Sequence, residues 1–205
     1  TAFCAATSRR TPSGPDNPTY PLILLAESGE GWSNLKRLSS LAFLEGFYYR
    51  PRVDHEILAK YSAGLIALSA CPKGEVATDL LEAGEDTAMR TAGMYRDLFG
   101  AENYFLEMQN HGLEIEDRIR AGVTALSRRT GIPVVATNDC HYLGHEDSAA
   151  HDVLLCIQTG KNVDDPNRLR YQTDQVYFKS AAEMEARFAD QPEALRNTIV
   201  VAERC

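Results

Sequence analysis

Val134-Val135-Ala136-Thr137-Asn138-Asp139-Cys140-His141 is the stretch whose reading decides the fold. A short apolar run, Val134 to Thr137, ends on side chains that carry a carboxylate, a thiol and an imidazole. Gly131-Ile132-Pro133 stands immediately before it and breaks whatever precedes it. What precedes it is Glu114 to Arg129, where Ile115, Ile119, Val123 and Leu126 share one face of a helix. An amphipathic helix followed by a buried strand is one repeat of an alternating architecture.

The same unit recurs toward the N-terminus. Tyr104 to Met108 alternates like a strand, and Gly64 to Ala70 is a buried strand running into Cys71-Pro72-Lys73-Gly74. Helices are expected from Glu75 to Glu82 and from Asp86 to Phe99. Tyr20 to Ala26 is a further buried strand, with Pro21 fitting only near a strand start or at an edge. Glu30 to Phe47 has helical spacing and should stop at Gly46, and Asp54 reads as the N-cap of a short helix to Tyr61. Thr7 to Thr19 is a surface loop. Beyond the opening stretch, Asp147 to Gln158 is helical, Asn162 to Thr173 is loop, and Glu183–Phe188 and Glu193–Glu203 are two more helices. Strands separated by amphipathic helices predict an α/β fold, either a parallel sheet or an α/β barrel.

The composition narrows the function. The chain has 205 residues, 44% hydrophobic and 24% charged, with a formal net charge of -8. That is not the basic footprint of a stand-alone nucleic-acid binder. Five cysteines, an odd number without a CxxC, read as free thiols of a reducing, cytoplasmic compartment. No apolar run suits a membrane span. The first residue is Thr1, without a charged leader, so the chain is expected to begin inside a larger sequence or to have been processed.

The chemistry concentrates at strand ends. Asp139 and His141 are two apart, so in an extended segment their side chains point to one side and could meet one cation. Carboxylate with imidazole suits Zn, Mn or Fe, and in an α/β barrel this strand end is where active sites sit. The competing reading is a polar turn. Cys71 closes its own strand in the same way and could add a thiolate, or simply pack as a small hydrophobe. His111 also follows a strand and could support the ligands or face substrate; a turn histidine is the alternative. His145 and His151 read as surface or local hydrogen-bond partners, and His55 as solvated. Arg9, Arg10, Lys161, Arg168 and Arg170 could meet phosphate, against the plainer reading of solvated loop charge. There is no G-x-S-x-G, P-loop or H-E-x-x-H.

Several segments together carry a resemblance. They include Gly31-Trp32-Ser33-Asn34-Leu35, Leu44-Glu45-Gly46-Phe47-Tyr48, Gly64 to Cys71, Ala136 to Tyr142, His151 to Lys161, and Asp165-Pro166-Asn167-Arg168. In unbroken order along essentially the whole chain, these resemble the PHP (polymerase-and-histidinol-phosphatase) domain of bacterial DNA polymerase III alpha subunits. The resemblance implies a distorted seven-stranded (β/α) barrel, here partial and lacking its first strands, over residues 1–160. Residues 161–205 would be an extended loop and helices leading toward a polymerase core.

It also implies a cluster of divalent ions, zinc or manganese, at the strand ends. Cys71, Asp139 and His141 match family metal ligands, and Asp139 and His141 would be the catalytic pair. Two departures matter: Pro21 stands where metal-binding members carry His, and Thr1 where an acidic ligand is common. Further ligands would precede Thr1, so this chain holds an incomplete set, and missing strands would leave open barrel edges.

The implied function is a segment of a DNA-directed DNA polymerase with metal-dependent 3′–5′ exonuclease ancestry. Its partners would be DNA, deoxynucleoside triphosphates, a sliding clamp and a proofreading subunit, with no membrane. A non-catalytic scaffold that docks the proofreading subunit, favoured by Pro21, and a free-standing PHP phosphatase are the rivals.

Overall fold

The computed structural model describes residues 1–70 and 72–205; Cys71 lies outside the described residues. The strands are β1 (Ala2–Ala5), β2 (Thr19–Ala26), β3 (Val53–Asp54), β4 (Leu65–Leu68), β5 (Tyr104–Met108) and β6 (Val134–Ala136). The helices are α1 (Gly29–Leu44), α2 (His55–Lys60), α3 (Glu75–Glu82), α4 (Glu85–Phe99), α5 (Glu114–Thr130), α6 (Ser148–Thr159), α7 (Ala181–Arg187) and α8 (Pro192–Arg204). This is the α/β class expected, with helices closing the chain.

The sheet runs in the order β3-β1-β2-β4-β5-β6. β2 is antiparallel to both β1 and β4, while the β1–β3, β4–β5 and β5–β6 pairs are parallel. The sheet is mostly parallel, and β2 is where it departs from that. A parallel return needs a crossover element, and the segment between β1 and β2 forms no helix. It is instead tied down by Asn17, whose Oδ1 accepts from Thr7 N at 2.9 Å and whose amide donates to Ser8 O at 2.9 Å. Strands β1 and β3 escaped the sequence reading because four and two residues are too few to show a pattern.

Alternation along each strand buries both faces. Leu22, Leu24, Leu65, Leu106 and Val134 face the main core with Tyr95, Leu126 and Phe188. Ile66, Leu68, Phe105 and Val135 face the other way, where Val201 of α8 packs on them. The same helix closes the outer edge of β6: Asn197 donates to Val134 O at 2.7 Å and Thr198 to Ala136 O at 3.0 Å. This edge is satisfied by helix side chains rather than by another strand.

Two close approaches fix α1. A Cβ on Gly31 would lie 1.7 Å from Gly64 O, so only glycine lets the start of α1 meet the turn before β4. α1 ends at Leu44 with Glu45 as its C-cap, so the helix stops just before Gly46 as expected, and Gly46 is needed because a Cβ there would lie 2.0 Å from Arg52 O.

Candidate functional site

The C-terminal ends of β4, β5 and β6 converge at one end of the sheet. The register pairing Ile23 with Leu68 carries Pro21 level with Ala70, so Pro21 lies at this same end. Ser69 Oγ accepts the Glu107 N–H at 2.8 Å, stitching the ends of β4 and β5. Ala70 and Asp139 both adopt positive φ, 66° and 43°. Asp tolerates that region through its short polar side chain; Ala does so at a cost, which marks the ends of β4 and β6 as held in place.

The structure brings Asp139 and His141 together, with Asp139 Oδ2 3.4 Å from His141 Nε2. The reason differs from the one read in the sequence. Asp139 is not extended, so the two-residue alternation does not operate; a left-handed turn after β6 folds the carboxylate back to the ring. Oxygen and nitrogen donors about 2.0–2.2 Å from a tetrahedral zinc stand roughly 3.4 Å apart. The pair therefore fits two neighbouring positions around one such ion. The Tyr171 hydroxyl also reaches His141 Nε2, at 2.9 Å, on the lone pair that a cation would use. Among the described residues, no three His, Cys, Asp or Glu side chains are grouped to hold a metal. Cys71, the third expected ligand, is outside them.

Residues 174–178 clamp this end by running beside residues 138–142. His141 N donates to Val176 O at 2.7 Å, Phe178 N to Tyr142 O at 3.0 Å, and the Asn138 amide to Tyr177 O at 2.6 Å.

His111 is neither a ligand nor a plain turn residue. Its ring is buried, with Nδ1 2.5 Å from Glu116 Oε1 and Nε2 2.8 Å from Asn138 O. A carbonyl only accepts, so Nε2 carries a proton. Burial pulls the His111 pKa down, yet the Glu116 carboxylate and the Asn138 carbonyl outweigh it and the net shift is upward. Burial likewise pushes Glu116 up, and its bonds from the His111 ring and backbone bring it below its ordinary value. The two directions agree on a buried imidazolium–carboxylate pair, anchoring the start of α5 to the residue before Asp139.

Glu107 was missed. It is buried on β5, receives Thr137 Oγ1 at 2.5 Å and Gln109 Nε2 at 3.1 Å on Oε1, and leaves Oε2 without a partner among the described residues. Burial raises its pKa, and the nearby Asp139 charge adds to that against the bonds from Thr137, Gln109 and Ala70. The signal was there to find: one acid inside the apolar run Tyr104-Phe105-Leu106-Glu107-Met108.

Other expectations change. His55 is not solvated; it packs edge-on to Tyr95, and the adjoining Cys4 sulfur and Glu75 carboxylate raise its pKa to about 10. Arg9 is not loose loop charge, being buried on Asp54 at 2.9 Å and Glu45 at 2.7 Å. Arg168 is likewise buried, forked onto Asp152 with both bonds at 2.6 Å. Arg10 and Lys161 are exposed and pair with Glu45 and Asp165. His145 bonds Asp174 at 2.9 Å, a local partnership as read.

A strand-end site on a mostly parallel α/β sheet defines the class, and comparison with known proteins agrees. The family model described as "PHP domain" matches residues 5–111, more than half of the chain. The chain belongs to the PHP domain family, and its sheet and closing helices are consistent with a partial PHP-type barrel. Asp139 and His141 lie beyond the matched span.

The chain is also similar to proteins named DNA polymerase III subunit alpha. It is 48% identical to that of Treponema pallidum over 91% of this chain and 16% of the relative. It is 41% identical to that of Borreliella burgdorferi over 100% of this chain and 18% of the relative. It is 40% identical to that of Thermus aquaticus over 100% of this chain and 17% of the relative. The chain thus spans less than a fifth of the length of these curated relatives.

Proposed function

We propose that this chain is a PHP-domain segment of a replicative DNA polymerase III alpha subunit, and that Asp139 and His141, with Cys71, hold a divalent ion, zinc or manganese, for hydrolysis at the 3′ end of DNA. In this reading residues 1–160 are the partial barrel and 161–205 lead on toward a polymerase core. DNA, deoxynucleoside triphosphates, a sliding clamp and a proofreading subunit would be met through the longer protein, in the cytoplasm. No helix among the described residues is long and apolar enough to cross a membrane. Similarity over the full chain to polymerase subunits supports this over a free-standing phosphatase.

The observation that carries the site is the 3.4 Å approach of Asp139 to His141 at a strand end. A divalent ion held by Asp139 and His141 would supply Lewis acidity to a phosphodiester oxygen. The protein's part is to orient the donors: the His111–Glu116 pair fixes the Asn138 carbonyl, and the clamp of residues 174–178 fixes the backbone of His141. Water would add across the terminal P–O bond, releasing a nucleoside 5′-monophosphate and a strand with a free 3′-hydroxyl.

The scaffold reading is favoured by Pro21, which offers no donor at this end of the sheet, and by Tyr171 on the His141 lone pair. Metal content and single-strand 3′–5′ hydrolysis, measured on the chain and on Asp139→Ala, decide between them. Catalysis predicts bound metal and hydrolysis that both fall at least tenfold in the variant. A metal-free, inactive parent protein leaves the scaffold.

A further inference from the structure

One acid sits inside the apolar strand β5, and it is tied to both neighbouring strands. Glu107 is 6% exposed. Its N–H donates to Ser69 Oγ at 2.8 Å, at the end of β4. Its Oε1 accepts the Thr137 hydroxyl at 2.5 Å and the Gln109 amide at 3.1 Å, and the same amide lies 3.4 Å from Thr137 Oγ1. A hydroxyl that close to a carboxyl oxygen is a bond to the ionised form. Glu107 pairs with Val135 of β6, and the chain runs on from there through Thr137 to Asp139. The tether therefore ends at the base of the turn that carries Asp139.

The second oxygen is different. Oε2 is buried and has no hydrogen-bond partner among the described residues. The space beside Glu107, lined by Ala70, Pro72, Gln109, Glu116 and Ile119, is about 10 Å³. That is at the lower limit for one water, which would also need roughly two to four polar partners. Glu116 is not free to be one, since its oxygens already serve the His111 ring and the N–H groups of His111 and Leu113. An unmet buried carboxylate costs stability. The bonds to Thr137 and Gln109 do not require it, because the oxygen of a glutamine would accept both. Asp139 does not relieve it either: its negative charge is felt at Glu107 and opposes it. A cation on the Asp139–His141 pair reverses that balance. It attracts both carboxylates and offsets the cost of the one that stays behind.

We propose that Glu107 is a positioning residue for the Asp139–His141 cation site: it holds Thr137, and through it the turn bearing Asp139, and its unmet charge raises the affinity of that site for a divalent cation without touching the ion. This rests on the metal-dependent reading above. It adds a residue that falls on none of the positions matched to family ligands.

The test measures zinc affinity of the 205-residue chain by calorimetry and its metal-free melting temperature alongside. Glu107→Gln should bind zinc about ten- to a hundredfold more weakly. Its metal-free melting temperature should equal or exceed the parent's, because the acceptor for Thr137 remains and the buried charge is gone. Thr137→Val cuts the tether and keeps the charge, and should weaken zinc about tenfold. The visible spectrum of the cobalt-loaded chain should keep its shape in Glu107→Gln. Parental zinc affinity in either variant overturns the proposal. A Glu107→Gln chain that melts lower without metal reduces the carboxylate to a structural bond and overturns it too. An altered cobalt spectrum makes Glu107 a ligand and has the same consequence. The two readings separate on the parent: a chain that binds no zinc removes the hydrolytic function and this role together, whereas zinc bound equally by parent and Glu107→Gln removes this role alone.

Discussion

Replacing Glu116 by Ala, and separately by Gln, isolates what the buried His111–Glu116 pair contributes. The two side chains are only 4% and 3% exposed. In Glu116→Ala the imidazolium loses its counter-charge, and the N–H groups of His111 and Leu113, at 2.6 and 3.3 Å from Oε2, lose their acceptor. Breaking one side of a buried pair costs about 3–5 kcal/mol. For a chain of this length that lowers the melting temperature on the order of 10 °C. Glu116→Gln is a different perturbation. Its carbonyl oxygen still accepts both N–H groups, and its amide can donate to a neutral His111 ring, so the loss should be under about 1.5 kcal/mol.

The pH profile distinguishes charge from packing. His111 is raised above 6.5, so its contribution is complete below that value and lost as pH rises through the folded pKa. Glu116 is lowered below 4.5, so its contribution is complete above that value and lost as pH falls through the folded pKa. The pair therefore contributes fully between about 4.5 and 6.5. Urea unfolding across pH 3–9 should show both flanks in the parent and flattened flanks in Glu116→Gln. A Gln variant with the parent's profile, or an Ala variant less than about 1 kcal/mol destabilised, would refute the ion-pair assignment.

Three further outcomes follow from the packing. Gly31→Ala forces a Cβ against the Gly64 carbonyl and should cost at least about 2 kcal/mol in denaturant melts, whereas Gly14→Ala, which meets nothing, should be near neutral. Tyr171→Phe removes the hydroxyl from His141 Nε2 and should tighten zinc binding about three- to tenfold by calorimetry; weaker binding would mean that the hydroxyl helps hold the ion. Asn197→Ala with Thr198→Val strips the donors from the β6 edge and should cost about 1–3 kcal/mol, with faster amide exchange along β6; unchanged exchange would show that packing alone covers that edge.

The fold was legible where period and length were sufficient. The run from Glu114 to Arg129, bounded by Gly131 and Pro133, specified a helix and the strand after it almost to the residue. Strands β1 and β3 were not legible, because their pairing is imposed by neighbours. Val53 and Asp54 become a strand only because Cys4 and Ala5 lie alongside. The direction of β2 was equally hidden, since a buried strand looks the same parallel or antiparallel.

The site divides along the same physical line. Chemistry carried by a short local motif could be read, and Asp139 and His141 do meet. Chemistry that depends on distant partners could not. Arg9 is buried by Asp54 and Glu45, and His111 is charged by Glu116 and oriented by Asn138. Asp54 illustrates the overlap: one role was legible locally, capping α2 through Ile57 N at 3.2 Å, and the fold adds a second by seating Arg9 on the same carboxylate. A residue with a sufficient local reason to exist conceals its long-range one. Glu107 is the opposite case. No local rule places a carboxylate inside an apolar strand, so its presence there is itself the signal that something at the ends of β4 and β6 requires it.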